Sequence, residues 1–213
     1  MTMLDARSLD DIGIECGTDK SSRNHGYLPI YDSLLSPMRA KPVTVLEIGV
    51  FGGSSLRMWQ AYFPLGRIIG LDRDPAALAH AGDRAEVLLA DQSDTPGLVR
   101  VVEPHGPFDL VVDDGSHIWA HQIATLRALL PLVRPGGAYV LEDLHTSYGR
   151  WAPKYRGEGG ETGAAYVLRV AERVLASNAL VPPEPDDPFL QDAPKLLESV
   201  VFARRCAIFR RKG

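Results

Sequence analysis

The chain has 213 residues, of which 45% are hydrophobic and 23% charged, a composition that excludes a disordered protein and fits one α/β domain. The net charge is −4, and basic residues cluster only at positions 204–205 and 210–212, so we expect no nucleic-acid partner. Cys16 and Cys206 match no metal-ligand or redox spacing and are expected to be reduced thiols. The chain shows no secretory signal and no membrane-spanning run, which favours a cytoplasmic protein without a membrane partner.

The first two thirds of the chain predict alternating strands and helices. Residues 1–42 are interpreted as an N-terminal lid segment with a helix near residues 30–35. The strands that follow are predicted at residues 43–48, 67–71, 86–90, 108–112 and 138–141, and the helices at Ser54–Tyr62, from Pro75 onward and at residues 117–130, with a turn at residues 134–137. This alternation predicts a Rossmann-like α/β fold, a mostly parallel sheet with helices on both faces.

The rest of the chain departs from this alternation. Residues 145–163 predict a mobile loop, and residues 181–194 form an arm rich in proline and acidic side chains. Two β-rich runs near the end, at residues 196–203 and 206–210, predict an antiparallel hairpin at the edge of the sheet. We therefore divide one domain of residues 1–213 into the lid, a cofactor-binding core (43–142), substrate-specificity loops and a helix (143–195), and the terminal hairpin (196–213). The arm and the hairpin favour a homodimer.

A glycine-rich turn follows the first predicted strand. Glu47 lies in that strand, and Gly49 and Ser54 belong to the turn, where a ligand can approach the backbone closely. Phe51 stands where a dinucleotide-binding turn needs its second close glycine, which argues against a nicotinamide or flavin cofactor. The pattern resembles motif I of class I methyltransferases.

Polar residues also end the second and third strands. Asp72, followed by Arg73, is placed to bind the ribose hydroxyls of an adenosine, whereas Asp74 precedes a proline and is expected to cap the next helix. Asp91 and Gln92 are placed to bind the adenine edge. Each carboxylate has the alternative role of stabilising a turn or a helix N-terminus.

Carboxylates and histidines follow the fourth and fifth strands, which should bring them into one crevice. A divalent cation would offset the repulsion among the carboxylates, and three oxygen ligands from Asp114, Glu142 and Asp143 suit Mg²⁺. Adjacent strand residues face opposite ways, so Glu142 and Asp143 can both ligate only if the strand has already ended. The alternative is that one is a ligand and the other caps a helix or pairs with an arginine.

His117 is the candidate general base, because an imidazole titrates near neutrality and can accept a proton from a hydroxyl. The alternative for His117 is a helix N-terminal residue packed on a neighbour. His121, one turn further along the predicted helix, is interpreted as structural. His145 and Tyr148 are candidates for the substrate pocket.

Several strings together resemble a known family. GTDK at residues 17–20, HGY at 25–27, the turn at 47–55, DDGSH at 113–117 and EDLHTSY at 142–148 resemble the metal-dependent macrolide deoxysugar O-methyltransferases of antibiotic biosynthesis, of the mycinamicin and tylosin type. The cephalosporin hydroxylase/rhamnosyl methyltransferase group is similar. This resemblance implies a seven-stranded class I fold that binds S-adenosylmethionine, and a lid over the cofactor that carries Thr18 and Tyr27.

The resemblance also implies functional roles. Asp114, Glu142 and Asp143 would ligate the metal, with Asp114 also near the cofactor, and His117 would be the base. Catechol methyltransferases resemble this layout with a lysine in place of His117. The macrolide enzymes can carry an additional N-terminal domain, whereas about forty residues precede the sheet here, so we expect the oligomer and the substrate enclosure to differ.

The expected reaction is S-adenosylmethionine-dependent methyl transfer to a sugar hydroxyl of a glycosylated secondary metabolite, assisted by Mg²⁺. The first alternative is N-methylation of an aminosugar, for which acidic side chains in the late segments would attract a cationic acceptor: Glu158, Glu161, Glu184, Asp186 and Asp187. Those side chains have solubility as their simpler explanation. Two further alternatives are methylation of a phenol or catechol and, from another class, a nicotinamide-dependent oxidoreductase.

Overall fold

A seven-stranded sheet forms the centre of the protein, seen in a computed structural model that describes residues 6–176 and 186–213. The strands are β1 (Thr44–Ile48), β2 (Arg67–Asp72), β3 (Ala85–Leu89), β4 (Phe108–Asp113), β5 (Val133–Leu141), β6 (Leu197–Ala203) and β7 (Cys206–Arg211). Their order across the sheet is β3-β2-β1-β4-β5-β7-β6. The first five strands are parallel, and β7 pairs antiparallel with both β5 and β6. The predicted Rossmann-like fold with a terminal antiparallel hairpin is therefore confirmed.

The order of the strands reverses between β1 and β4, which is where sheets of this type bind ligands. Both faces of the sheet are covered, because successive residues of its buried strands point to opposite sides. In β1, Leu46 and Ile48 join one hydrophobic cluster and Val45 joins the other. The carboxyl ends of the central strands are thereby held in a rigid layer.

The helices flank this sheet. They are α1 (Leu9–Cys16), α2 (Leu28–Leu35), α3 (Ser54–Tyr62), α4 (Thr95–Val102), α5 (Trp119–Leu129), α6 (Ala152–Tyr155), α7 (Gly163–Leu175) and α8 (Pro188–Leu196). Reciprocal hydrogen bonds between Ser8 and Asp11 begin α1, and Gly17 ends it in the left-handed conformation. Asp74 accepts the backbone N–H of Ala76, as predicted for a helix cap, although the helix that follows is the 3-10 helix Pro75–His80.

Two predicted boundaries are wrong for backbone reasons. The helix expected from residue 117 begins at Trp119, because His117 has a φ of 57° and cannot be helical. The turn expected at residues 134–137 lies inside β5, where the register with β4 shifts between the pairs Phe108–Val133 and Leu110–Ala138. The extra residues are absorbed as an irregularity in the ladder.

The segments after β5 contain more helix than predicted. The expected loop at residues 145–163 holds α6 and the 3-10 helices Leu144–Ser147 and Gly149–Trp151. Within the expected arm, α8 begins at Pro188, a position where proline is tolerated because the missing N–H has no helical acceptor. Residues 181–185 of that arm, including Glu184, lie outside the described residues. Among residues 6–176 and 186–213, no helix has both the length and the apolarity that crossing a membrane requires.

Candidate active site

A cavity of about 720 Å³ opens at the carboxyl ends of the parallel strands. The predicted site residues that line it are Thr18, Gly49, Ser54, Asp72, Arg73, Asp91, Gln92, Asp114, His117 and Asp143. The predicted site residues that do not line it are Tyr27, Glu47, Glu142, His145 and Tyr148. A cleft of this volume, lined by convergent polar groups at a strand-order reversal, is typical of a small-molecule site.

The turn between β1 and α3 forms one wall of this cavity. Gly49 has a φ of 94°, and a Cβ built on it would lie 2.2 Å from the backbone oxygen of Asp114. Only glycine allows the turn and the end of β4 to approach this closely. Phe51 is also left-handed, with a φ of 46°, and its ring is 96% exposed at the rim.

Asp72 organises the same turn from the neighbouring strand. Its Oδ2 accepts the backbone N–H groups of Val50 (2.9 Å) and Phe51 (3.0 Å), and its Oδ1 accepts that of Asp74 at 3.0 Å. Partial burial acts to raise the pKa of Asp72, but these backbone donors hold it below its usual value. The carboxylate is thus fixed, ionised and at the cavity wall.

Asp91 and Gln92 follow β3 on the next part of the wall. Asp91 accepts the N–H of Ser93 at 2.8 Å and remains half exposed. The Gln92 amide is engaged internally, since it donates to Asp113 Oδ1 (2.8 Å) and accepts the N–H of Ser116 (2.8 Å). Of these two residues, Asp91 therefore has the freer polar group to offer a ligand.

A buried lysine in the cavity wall joins three carboxylates. Lys20 has a side chain only 1% exposed, and its Nζ contacts Asp114 Oδ2, lies 2.8 Å from Glu142 Oε2 and lies 3.6 Å from Glu47 Oε1. Burial opposes its charge, but the three carboxylates raise the pKa of Lys20 well above its usual value. Burial is also the main reason that the pKa of Glu47 rises to about 7. Glu47 is thus a partner of Lys20 and has no contact with the cavity.

Glu142 and Asp143 point to different partners. β5 ends at Leu141, so the strand has stopped before both residues, and Asp143 turns the chain with a φ of 58°. Glu142 is fully buried and accepts from Lys20 and, at 2.9 Å, from Tyr31 Oη. Glu142 thus lies on Lys20, whereas the compact group of possible metal ligands consists of Asp114, His117 and Asp143; the predicted ligand set with Glu142 stays a prediction.

Asp143 is surrounded by three imidazoles and a phenol. Its carboxylate lies 3.6 Å from His117 Nε2, 3.9 Å from His25 Nδ1 and 3.7 Å from His145 Nδ1, and Tyr27 Oη donates to it at 2.5 Å. Burial acts to raise the pKa of Asp143, but these neighbours hold it below its usual value. Asp143 is therefore an ionised carboxylate at the cavity edge.

Three of these residues could hold a metal ion together. Asp114, His117 and Asp143 offer ligand atoms that all lie within 4.8 Å of one another. His117 Nε2 is 3.9 Å from Asp114 Oδ1, on the side of that carboxylate that does not contact Lys20. Two carboxylates and an imidazole fit a divalent cation.

The segment after β5 covers this group. The Tyr155 ring meets the His117 ring edge-on with centroids 5.9 Å apart, and the Trp151 ring meets His145 at 5.7 Å. Tyr148 is 59% exposed outside the cavity. His121, predicted to be structural, has its Nδ1 2.8 Å from Ser116 Oγ and also lines the cavity.

Sequence reasoning missed Lys20, His25 and Tyr155. Lys20 and His25 lie in the GTDK and HGY strings, which were interpreted only through Thr18 and Tyr27. Lys20 is 94 residues from Asp114 and 122 residues from Glu142, and no local pattern links them. The available signal was that Lys20 is itself the last residue of the GTDK string, one of the strings that carry the family resemblance.

Residues 46–144 match the family model described as a methyltransferase domain. The matched residues run from within β1 to just past the end of β5. More particularly, the homologues of this chain are sugar O-methyltransferases of antibiotic biosynthesis. The 8-demethyl-8-(2-methoxy-alpha-L-rhamnosyl)-tetracenomycin-C 3'-O-methyltransferase of Streptomyces olivaceus is 45% identical over 147 residues, 66% of this chain and 37% of that protein.

Two further relatives agree with this result. The mycinamicin VI 2''-O-methyltransferase of Micromonospora griseorubida is 43% identical over 148 residues, 66% of this chain and 37% of that protein. The methyltransferase MycE of the mycinamicin biosynthetic pathway, solved with Mg and S-adenosylhomocysteine, superposes with a TM-score of 0.86 at 31% identity, over 98% of this chain and 54% of MycE. The chain thus spans 54% of MycE and 37% of each of the other two relatives. The activity of a whole relative is therefore only proposed for this chain.

Proposed function

We propose that this protein transfers a methyl group from S-adenosylmethionine to a hydroxyl group of a sugar attached to a small secondary metabolite of the antibiotic type. One observation carries the proposal: His117 lies beside Asp114 and Asp143 at the edge of the large cavity. A base and a pair of metal-binding carboxylates next to a cofactor-sized cleft are what methylation of an alcohol needs. The relatives, which are sugar O-methyltransferases, support the same reaction.

The cavity is the proposed S-adenosylmethionine site. Asp72 would accept the ribose hydroxyls with the lone pairs that its backbone donors leave free, and Asp91 and Gln92 would lie along the adenine. Gly49 keeps the turn open to the ligand, and Ser54 begins α3 beneath it. Arg73 is exposed at the rim near Asp91, and Asp114, which also lines the cavity, would lie between the cofactor and the acceptor.

The N-terminal segment is the proposed lid. Thr18 and His25 line the cavity from one side, whereas Tyr27 holds the segment down through its hydrogen bond to Asp143. We retain the division of the chain into the lid (1–42), core (43–142), specificity segment (143–195) and hairpin (196–213).

Asp114 and Asp143 are the proposed Mg²⁺ ligands, and Glu142 stays a predicted third ligand. The short separations within the group of Asp114, His117 and Asp143 favour a cation at this point. When bound, Mg²⁺ would lower the pKa of the acceptor hydroxyl and orient it.

His117 is the proposed general base. Its Nε2 faces the carboxylates and would accept the hydroxyl proton, while the Tyr155 ring limits the rotation of the imidazole. Asp143 would stabilise the resulting imidazolium. The sulfonium is already an activated methyl donor, so the protein needs to supply only the nucleophile and its alignment.

The acceptor would bind beneath the segment after β5, with His145 and Tyr148 retained as predicted substrate contacts. The acidic side chains that the structure describes in the late segments do not favour a cationic aminosugar. Glu161 pairs with Arg169 at 2.7 Å, and Asp187 begins α8 and accepts from Tyr166 at 3.0 Å. Neither acidic residue lines the cavity, so we favour a neutral hydroxyl over an amine.

A cytoplasmic homodimer remains part of this proposal, and light scattering of the purified protein would test the dimer. The reaction itself is tested by incubating the protein with S-adenosylmethionine, Mg²⁺ and a panel of rhamnosylated or deoxysugar-bearing polyketides. We expect a product whose mass shows one added methyl group and in which one sugar hydroxyl has become a methyl ether. A product methylated on an amine or a phenol, an oxidised product, or no binding of S-adenosylhomocysteine in calorimetry would each contradict the proposal.

A further inference from the structure

Lys20 places a permanent positive charge against the carboxylates of the candidate site. Its ammonium contacts Asp114 Oδ2 and lies 2.8 Å from Glu142 Oε2. Its side chain is 1% exposed, whereas the other lysines of the chain, Lys41, Lys154, Lys195 and Lys212, are exposed. An ion so buried is retained only when its partners offset the loss of hydration.

Glu142 and Asp114 have few oxygen atoms free to bind a second cation on the side that faces Lys20. Both oxygens of Glu142 are engaged, Oε2 by Lys20 and Oε1 by Tyr31. Asp114 divides its oxygens, since Oδ2 contacts Lys20 and Oδ1 faces His117 at 3.9 Å. A divalent cation that used Glu142 Oε2 or Asp114 Oδ2 would lie within contact distance of the ammonium, and like charges at that separation repel strongly in a buried setting.

The backbone holds Lys20 in this place. The carbonyl oxygen of Lys20 accepts the N–H groups of Tyr27 (2.9 Å) and Leu28 (3.3 Å), which closes the segment between α1 and α2 into a compact loop. Tyr27 in turn donates to Asp143. The ammonium is therefore delivered by the same loop that covers the cavity.

We propose that Lys20 is a positioning residue that competes with the metal. Its ammonium holds Asp114 and Glu142 together and thereby lowers the affinity of the site for a divalent cation. Glu142 can bind the cation only when its contact with Lys20 is broken. This inference rests on the proposed metal site but requires no turnover. The ammonium of Lys20 also supplies Glu142 with a positively charged partner when no metal is bound, so Glu142 and Asp114 stay close together.

The test measures Mn²⁺ binding by electron paramagnetic resonance, with no substrate present. We expect Lys20→Gln to bind Mn²⁺ about tenfold or more tightly than the native protein, because a nearby positive charge is gone and Glu142 is released. The double variant Lys20→Gln/Glu142→Gln should lose most of that gain. Lys195→Gln, which removes an exposed lysine paired with Asp192 on α8, is the matched control for net charge and should bind as the native protein does.

Equal or weaker Mn²⁺ binding by folded Lys20→Gln, or no binding by either protein, would overturn the inference. Binding that is equal in both would leave the proposed methyl transfer intact, so the two failures are distinguishable. A second measurement uses the native protein and does not depend on the variant folding. Mg²⁺ should shift the ε-carbon resonance of the buried lysine with the same saturation curve as the metal binding, and an unmoved resonance at saturation would also refute the competition.

Discussion

His117 and Asp143 both hold a left-handed backbone, with φ angles of 57° and 58°, and their side chains approach to 3.6 Å between Nε2 and Oδ2. Non-glycine residues are uncommon in this conformation, although aspartate and histidine tolerate it better than most, and such positions concentrate at functional sites. Each turn aims its side chain across the end of the sheet, His117 from the loop after β4 and Asp143 from the loop after β5. The pair is the geometric centre of the proposed site.

Replacing His117 with alanine tests the base. We expect turnover to fall on the order of 10²–10⁴-fold, the usual cost of losing a general base. The affinity for S-adenosylhomocysteine should stay within about threefold, because the cofactor wall formed by Asp72 and the turn at Gly49 is untouched. Steady-state kinetics and calorimetry measure the two quantities.

The same variant separates a base from a metal ligand. If His117 serves as the base alone, Mn²⁺ affinity changes little in His117→Ala. A large loss of Mn²⁺ affinity would instead assign the imidazole to the metal, and near-native turnover would remove His117 from the mechanism altogether.

Asp143→Asn tests the metal ligand. The asparagine oxygen can still accept from Tyr27, so the fold should be retained, but the ionised ligand is lost. We expect Mn²⁺ affinity to fall roughly tenfold to a hundredfold or more, by comparison with the loss of supporting groups at metal sites. Asp186→Asn, an exposed carboxylate on the approach to α8, is the control, and equal metal binding by both variants would be incompatible with the proposed ligand.

Gly49→Ala tests the close approach of the turn to Asp114. The new Cβ would lie 2.2 Å from a backbone oxygen at a φ of 94°, and strain of this kind costs about 1–3 kcal/mol. Chemical denaturation should show that loss of stability, together with weaker binding of S-adenosylhomocysteine.

Gly52→Ala, three residues along the same turn, is its matched control. A Cβ there meets nothing within 4 Å, so stability should change by less than about 0.5 kcal/mol. Similar destabilisation of both variants would mean that the approach of Gly49 to Asp114 is not what constrains the turn.

Asp72→Asn tests the cofactor carboxylate. The asparagine amide would face backbone N–H donors that now meet a carboxylate, so both the turn and the ribose contact should weaken. Because charged hydrogen bonds contribute about 1.5–3 kcal/mol, we expect the dissociation constant for S-adenosylhomocysteine to rise roughly tenfold to a hundredfold.

Asp74→Asn provides the comparison for Asp72, since asparagine is also a good N-cap. Calorimetry should find its affinity unchanged within about twofold. An unaltered dissociation constant in Asp72→Asn would show that the carboxylate serves the turn alone.

Much of this site follows from local patterns. The apolar run that ends at Ile48, the glycines after it and Ser54 at the start of α3 predict a strand, a ligand-binding turn and a helix, and the helix Ser54–Tyr62 is confirmed at both ends. The groups after the fourth and fifth strands were expected to share one crevice because parallel strands end at one edge, and Asp114, His117 and Asp143 line one cavity together with Asp72 and Asp91.

What failed depended on backbone conformation or on distant contacts. The string DDGSH does not show that His117 is left-handed, so the start of α5 was placed two residues too early. The different partners of Glu142 and Asp143 were weighed as an alternative, but their identities, Lys20 and the histidines, depend on distant contacts. Lys20 reaches its partners only because α1 and α2 fold over the sheet, which is a property of the tertiary packing. Helix α8 was not predicted because its prolines indicate an irregular segment, although Pro188 stands at the start of the helix, where proline is tolerated.

The left-handed turn at His117 has a consequence for engineering. Glycine at that position would release the strain of roughly 1–2 kcal/mol that an L-residue carries there, offset by about 0.5–1 kcal/mol of added freedom in the unfolded chain. A screen for heat resistance alone would therefore not select for the imidazole of His117. Variants that pass such a screen would include well-folded proteins without activity. Stabilised versions of this protein should be selected with a readout of catalysis in every round.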